Sequence, residues 1–412
     1  MQVYLVGGAV RDKLLGLNIK DRDWVVVGAS PEQMLNLGYQ QVGADFPVFL
    51  HPKSKEEYAL ARTERKTAQG YNGFECYAAQ DVTLEQDLLR RDLTINAMAM
   101  DENSNIVDPY NGQQDLANKL LRHVSPAFVE DPLRVFRVAR FAARYASLGF
   151  TIAAQTMALM QEICRSGEIS HLSAERVWQE TARSLSAENA DIYISVLRES
   201  GALDIWFPEL AILWGIPNPA KWHPEIDTGI HTLMVLQQAQ KLSPKLTVRF
   251  AALVHDVGKG LTSQEHWPSH PGHEKSGLAE IMTLCDRIKV PNDCRELALI
   301  MSEFHSHVHK AFELKPSTLL KMFNQCDPWR KPQRFKDFLT ACEADARGRT
   351  GFEDRDYPNA DYIWQAYLAA AKVDVKAIVA SGLVGQAIKQ RLNEYRLDAI
   401  KHLKKTYPFE KM

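Results

Sequence analysis

The sequence predicts a multidomain protein, an α/β head followed by all-α segments, and three observations lead there. β-Branched and aromatic runs are confined to the residues before about 125. Long helical periodicity sets in after Asp131, with few strand signals beyond it. Prolines cluster from Phe207-Pro208 through Pro217, Pro219 and Pro224, as at a domain boundary.

Taken in order, Val3-Tyr4-Leu5-Val6 and Trp24-Val25-Val26-Val27 have the length and residue types of strands, and Val48-Phe49-Leu50 and Tyr58-Ala59-Leu60 are further candidates. Gly7-Gly8 ends the first strand, and Ala9-Val10-Arg11-Asp12 begins a helix. Lys66 to Val82, with Gly70 and Gly73, reads as a loop or a flexible hairpin and is a candidate moving part. Asp131-Pro132 is a helix start, a capping carboxylate followed by proline at the first helical position. The expected segments are 1–125 (head), 126–215 (helical neck and body), 228–350 (second helical domain) and 351–412 (helical tail).

Composition sets limits. The 412 residues are 45% apolar and 24% charged, as in soluble globular proteins. A net charge of −2 leaves no overall basic surplus, so any field that attracts nucleic acid must be local. The six cysteines are scattered with no C-x-x-C pair, which suits a reducing compartment. No basic segment precedes a long apolar run at Met1 to Val6, and no run approaches the ~20 apolar residues of a membrane span. A cytoplasmic protein without a membrane partner is expected.

Four patterns carry chemistry. Asp21 and Asp23 lie two apart at the start of a strand, so they project to one face, ~6.5–7 Å apart, while Arg22 points away. Hard cations such as Mg²⁺ take carboxylate oxygens together with substrate phosphates. Alone, D-x-D more often decorates a loop. The strand, double glycine and helix offer backbone N–H groups to a phosphate, and Arg11 adds charge; neither a Walker A nor a Rossmann pattern is present. Asp131, Arg134, Arg137, Arg140 and Arg144 recur at helical spacing, opposite a face with Phe136 and Phe141. Such a stripe is, by itself, more often a solvated face. Finally, Phe250 to Lys259 is a buried helix ending in His255-Asp256, with His231 before it and His273, His305 and Asp345 after. A buried carboxylate needs a partner, and a metal ion would supply one.

In order, Val6-Gly7-Gly8-Ala9-Val10-Arg11-Asp12, Asp21-Arg22-Asp23, Arg90-Arg91-Asp92-Leu93-Thr94-Ile95-Asn96-Ala97 and Glu130-Asp131-Pro132-Leu133-Arg134 resemble the motifs of class II tRNA nucleotidyltransferases, the CCA-adding enzymes. Bacterial poly(A) polymerases share them. The resemblance implies a polymerase-β-like nucleotidyltransferase head and a helical body. It implies Asp21 and Asp23 as catalytic Mg²⁺ ligands, with Gly8, Arg11, Arg91, Asp92, Asp131, Arg134, Arg137 and Arg140 binding ATP or CTP. Without it, Arg90-Arg91-Asp92 reads as a solvated helix start. Cytosine and adenine each set an amine beside a ring-nitrogen acceptor. A carboxylate and a guanidinium, Asp131 and Arg134 by the resemblance, would admit them and reject uracil and guanine.

His231, His255-Asp256 and Asp345 resemble the HD superfamily of metal-dependent phosphohydrolases, with His-Asp-x-Gly-Lys the most specific segment. That implies a divalent transition metal, nickel among the candidates, on these four residues. His273 and His305 would hold a second metal or support the first. A class II head followed by an HD domain resembles the bacterial multifunctional CCA-adding enzymes. It implies tRNA, CTP and ATP as substrates, a monomer or homodimer, and phosphatase, 2′-nucleotidase and 2′,3′-cyclic phosphodiesterase activities. Basic contacts to tRNA are expected from the arginine stripe and from Lys401, Lys404 and Lys405. The rivals are a poly(A) polymerase with the same head, a phosphohydrolase whose head senses nucleotide, and an RNA-binding scaffold.

Overall fold

The computed structural model describes residues 1–19, 21–42, 48–66 and 74–408. They form two compact units, 1–184 with 192–206, and 185–191 with 207–408.

The first unit opens on a seven-stranded sheet. Its strands are β1 (Gln2–Val6), β2 (Asp23–Val27), β3 (Gln40–Val42), β4 (Val48–Leu50), β5 (Glu57–Leu60), and, beyond the β6–β7 hairpin (Thr63–Lys66 and Phe74–Tyr77), β8 (Ala99–Met100) and β9 (Ile106–Val107). The order is β3-β4-β5-β2-β1-β8-β9; β2 and β5 are parallel and the other neighbours antiparallel. Val25 and Val26 are both buried, because the sheet is covered on both faces. Val25 packs with Leu84, Leu88 and Ala99, and Val26 with Met34 and Phe49. Of the Lys66–Val82 segment, 67–73 lie outside the described residues; Phe74–Tyr77 pairs with Thr63–Lys66 as a hairpin.

After the sheet the chain is mostly helical. The helix Leu133–Tyr145 starts one residue later than expected, and the Asp131 carboxylate accepts from the Leu133 N–H at 3.1 Å. Phe136 is fully buried and meets Trp206 edge-to-face.

The second unit is all-α. Its centre is built from Thr228–Leu242, Leu246–Val254, His273–Ile288, Asn292–His309 and Pro332–Arg347. Val235, Ala239, Ala252 and Ala344 form a small-residue core that draws three of these helices together. No helix among the described residues is long and apolar enough to cross a membrane.

Candidate active site and candidate metal centre

The register of the first two strands places the first site. Asp23 pairs with Val6, so it stands beside the Gly7-Gly8 turn that follows β1. Gly7 has φ +65°, and a Cβ there would lie 2.8 Å from an Arg91 Nη atom. Both facts call for glycine, and the turn feeds directly into the helix Gly8–Leu14. Arg22 leans toward Glu56, away from that turn.

The cleft at this turn has a volume of about 410 Å³. Gly7, Gly8, Asp23, Asn96 and Phe141 line it. So do seven arginines (Arg11, Arg90, Arg91, Arg134, Arg137, Arg140 and Arg144) and two further aspartates, Asp92 and Asp131. Its lining is thus four charges more positive than negative, in a chain of net charge −2. Asp21 is exposed and lies close enough that its charge, with burial the larger cause, pushes the Asp23 carboxyl above its usual range against the pull of Arg91. Asp23 itself is exposed at the rim, and the surrounding walls withdraw part of its water.

The arginines are held by acids, most of which the sequence reading did not single out. Asp87 is fully buried and accepts from Arg90 at 2.9 Å and Arg91 at 3.2 Å. Asp12 accepts from Arg11 and Arg144, and Glu180 from Arg140. Asp92 accepts from Arg137 at 2.7 Å, from Asn96 at 3.0 Å and from the Leu93 N–H. Burial opposes the Asp92 charge, yet Arg137 and Asn96 overcome that and hold the carboxyl well below its usual range. Arg91 and Asp92 therefore do not sit on a solvated helix start. Asp92 is buried, and Arg90 ends the helix Leu84–Leu89.

Arg134 spends two N–H groups on the carbonyls of Ala127 and Arg90, which fixes its plane. Asp131 faces Arg176 at 3.6 Å. Arg11 is only 3% exposed, its guanidinium on Asn96 and Asp12 and over both the Phe141 and Tyr145 rings. Phe141 does not face away from the arginine stripe. It lies within it, under Arg140 at 4.4 Å, because it follows Arg137 by one helical turn.

The second site is a buried cluster. His231, His255 and Asp345 bring ligand atoms within 4.8 Å of one another, and so do Asp256, His273 and His305. Asp256 reaches both sets: one oxygen is 3.2 Å from His255 Nε2, the other 3.5 Å from His273 Nε2 and 3.6 Å from His305 Nε2. Each of the four imidazoles turns Nδ1 to a backbone carbonyl: His231 to Gly348, His255 to Ala252, His273 to His270, His305 to Met301. Those carbonyls call for N–H at Nδ1, which aims four Nε2 lone pairs inward. There they meet carboxylate oxygens, and only a shared proton or a cation lets the two kinds of acceptor lie so close. His255 Nε2 and Asp256 Oδ1 are buried with no hydrogen-bond partner among the described residues. A divalent cation would satisfy both, and a mixed imidazole and carboxylate set suits a transition metal.

Gly258 explains the His-Asp-x-Gly-Lys spacing. A Cβ there would lie 2.0 Å from the His273 carbonyl oxygen, so only glycine lets the turn after Asp256 close on the His273 helix. Sequence reasoning gave no role to several neighbours. Lys259 bonds Asp256 at 2.6 Å and Asn218 at 2.9 Å. His309 joins Asp345 at 2.6 Å and Tyr357 at 2.8 Å, and Glu225 joins His223 and His231. Burial pushes His305 down to about 3 and His223 to about 4. Lys404 is not poised for RNA: its ammonium is spent on the carbonyls of Phe312 and Leu314.

Comparison with known proteins agrees with this layout. Three family models match: "Poly A polymerase head domain" over residues 3–122, "Probable RNA and SrmB-binding site of polymerase A" over 149–213, and "HD domain" over 228–328. A multifunctional CCA protein of Pseudoalteromonas atlantica is 69% identical, over 97% of this chain and 99% of that one. Its counterpart in Vibrio campbellii is 61% identical over the same shares. Among solved structures, the Thermotoga maritima CCA-adding enzyme complexed with tRNA has the same fold, with a TM-score of 0.63 at 17% identity over 98% of this chain and 91% of that one.

Proposed function

Because the chain belongs to the family of multifunctional CCA proteins, we propose that it adds and repairs the 3′-terminal CCA of tRNA from CTP and ATP, and hydrolyses phosphoesters at its second site. The observation that carries the first part is the arginine-walled cleft with Asp23 beside the glycine turn.

Asp21 and Asp23 would hold Mg²⁺, for which two carboxylates are a suitable donor pair. Magnesium bound there would neutralise charge on the triphosphate and favour ionisation of the attacking 3′ hydroxyl. The arginines bind and orient the triphosphate, with the Gly8 region giving it close backbone approach. Asp92 orients Arg137 and does not itself need to meet a phosphate. Asp131 and the fixed plane of Arg134 read the base, accepting from an amine and donating to a ring nitrogen. The test is addition to tRNA lacking its end, with CTP and ATP given separately and together. C before A is expected; runs of A without C would mark a poly(A) polymerase instead.

His231, His255, Asp256 and Asp345, with His273 and His305, would hold the second metal centre. Bound there, a divalent transition ion would acidify water and polarise a phosphoryl oxygen. The unsatisfied atoms of His255 and Asp256 favour this reading. Metal titration by calorimetry, followed by assays on phosphomonoesters, 2′-nucleotides and 2′,3′-cyclic nucleotides, tests it.

A further inference from the structure

A second cavity, of about 550 Å³, adjoins the cleft of the metal cluster. Trp222, His309 and Arg349 line both spaces. Four flat aromatic side chains, Trp222, Phe312, Phe352 and Tyr357, stand on its wall with Arg347 and Arg355. Trp222 is 55% exposed, an unusual setting for so large an apolar group. Lys221 lies over its ring at 4.7 Å, and Arg355 over Phe352 at 5.2 Å. Arg347 and Arg349 each have a buried Nε without a hydrogen-bond partner among the described residues. The donors are therefore desolvated without return in the free protein.

Exposed rings beside cations are the equipment of base stacking, and the volume lies within the range of small-molecule sites. Arg349 stands 3.8 Å from Asp345, at the wall shared with the metal cluster. We propose that this cavity is a nucleoside subsite. It takes the base and sugar of a nucleotide whose phosphoester lies at the metal cluster, with Trp222 and Phe352 as stacking faces and Arg349 at the phosphate. The proposal rests on the hydrolase reading and adds to it which residues hold the base and the sugar.

The experiment compares two secondary phosphomonoesters, adenosine 2′-phosphate and glycerol 2-phosphate, on the metal-loaded full chain and on Phe352→Ala and Trp222→Ala. For each variant KM for the nucleotide should rise about tenfold, in line with one lost stacking face; for Phe352→Ala, which stands off the metal-cluster cleft, kcat and both constants for glycerol 2-phosphate should be unmoved. Equal effects on the two substrates, or none on either, would overturn the subsite. Equilibrium dialysis with adenosine 2′-phosphate supplies a readout free of catalysis. If the parent turns over neither substrate but binding weakens in the variants, the hydrolase reading falls and the subsite stands. Binding indifferent to both variants removes the subsite whatever the hydrolysis shows.

Discussion

The two sites solve opposite electrostatic problems. The head cleft gathers seven arginines, yet Asp12, Asp87, Asp92 and Glu180 already hold most of them in place. Its positive excess sits on guanidinium groups that are buried or half-buried along the cleft wall. The helical cluster buries six ligand side chains with lone pairs facing carboxylates, and leaves His255 Nε2 and Asp256 Oδ1 unsatisfied. One site is organised before its ligands arrive; the other becomes complete only with a cation. Preorganisation at the cleft and metal dependence at the cluster should therefore separate in experiment.

The sharpest separation is chemical. Asp23→Ala should cut nucleotide addition by at least about 1,000-fold and leave phosphoester hydrolysis intact, since one carboxylate of a metal pair is lost. Addition that survives in a primer-extension assay would remove Asp23 from the site. Next comes Gly258→Ala. The new methyl meets the His273 carbonyl, and about 3 kcal/mol of stability in the second unit should be lost, with the metal stoichiometry read by calorimetry. The same variant should add nucleotides normally.

Acid should divide the units as well. In metal-free protein, His305 near 3 and His223 near 4 stay neutral when folded, while unfolded histidines bind protons below about 6.5. Stability is then lost as pH falls from about 6.5 to 4. His255 acts in another window: burial alone would lower it, but Asp256 and Asp345 raise it, so its contribution is lost as pH rises above about 6.5 and offsets nothing below that value. The other two leave roughly two uncompensated protons, about 2.7 kcal/mol per pH unit in urea titrations, and a divalent ion should reduce the slope. Head carboxylates such as Asp87, held low by Arg90 and Arg91 against burial, keep their full contribution until the pH nears the unfolded value of about 3.9 and lose it below, where the unfolded group takes up a proton and the folded one does not. The smallest effect belongs to Arg22→Ala. Its contact with Glu56 is long and exposed, so stability should move by no more than about 0.5 kcal/mol, with addition unchanged. A large loss of addition would mean that Arg22 faces the cleft.

Much of both sites was legible because short-range rules governed them. The strand, glycine turn, helix and alternate carboxylates follow from β-branched runs, a positive-φ glycine and two-residue periodicity. The buried His255-Asp256 pair showed itself as polar residues ending an apolar run. The counter-charges were illegible. Asn96 reaches Arg11 across 85 residues and Asp12 reaches Arg144 across 132, and no spacing rule spans such distances. Arg90-Arg91-Asp92 read as solvated in part for the same reason, since Arg137 meets Asp92 from 45 residues on; Asp87, three and four residues before the two arginines, lay within a helical spacing rule. Phe141 was misplaced because an aromatic residue was equated with the core, whereas its turn of helix puts it among guanidinium groups. The hydroxyl of Tyr357, on His309, came from a loop with no motif at all.

His231 and Asp345 meet at 3.1 Å from positions 114 residues apart. An ion gripping both would act as a reversible crosslink around more than half of the second unit. Tying a chain across so long a loop removes much of the freedom of its unfolded state, by analogy with a disulfide worth several kcal/mol. Withdrawing the metal would then unlace this unit thermally while the nucleotide-adding end keeps its melting point, so that metal supply sets the working lifetime of one half of the chain and not of the other.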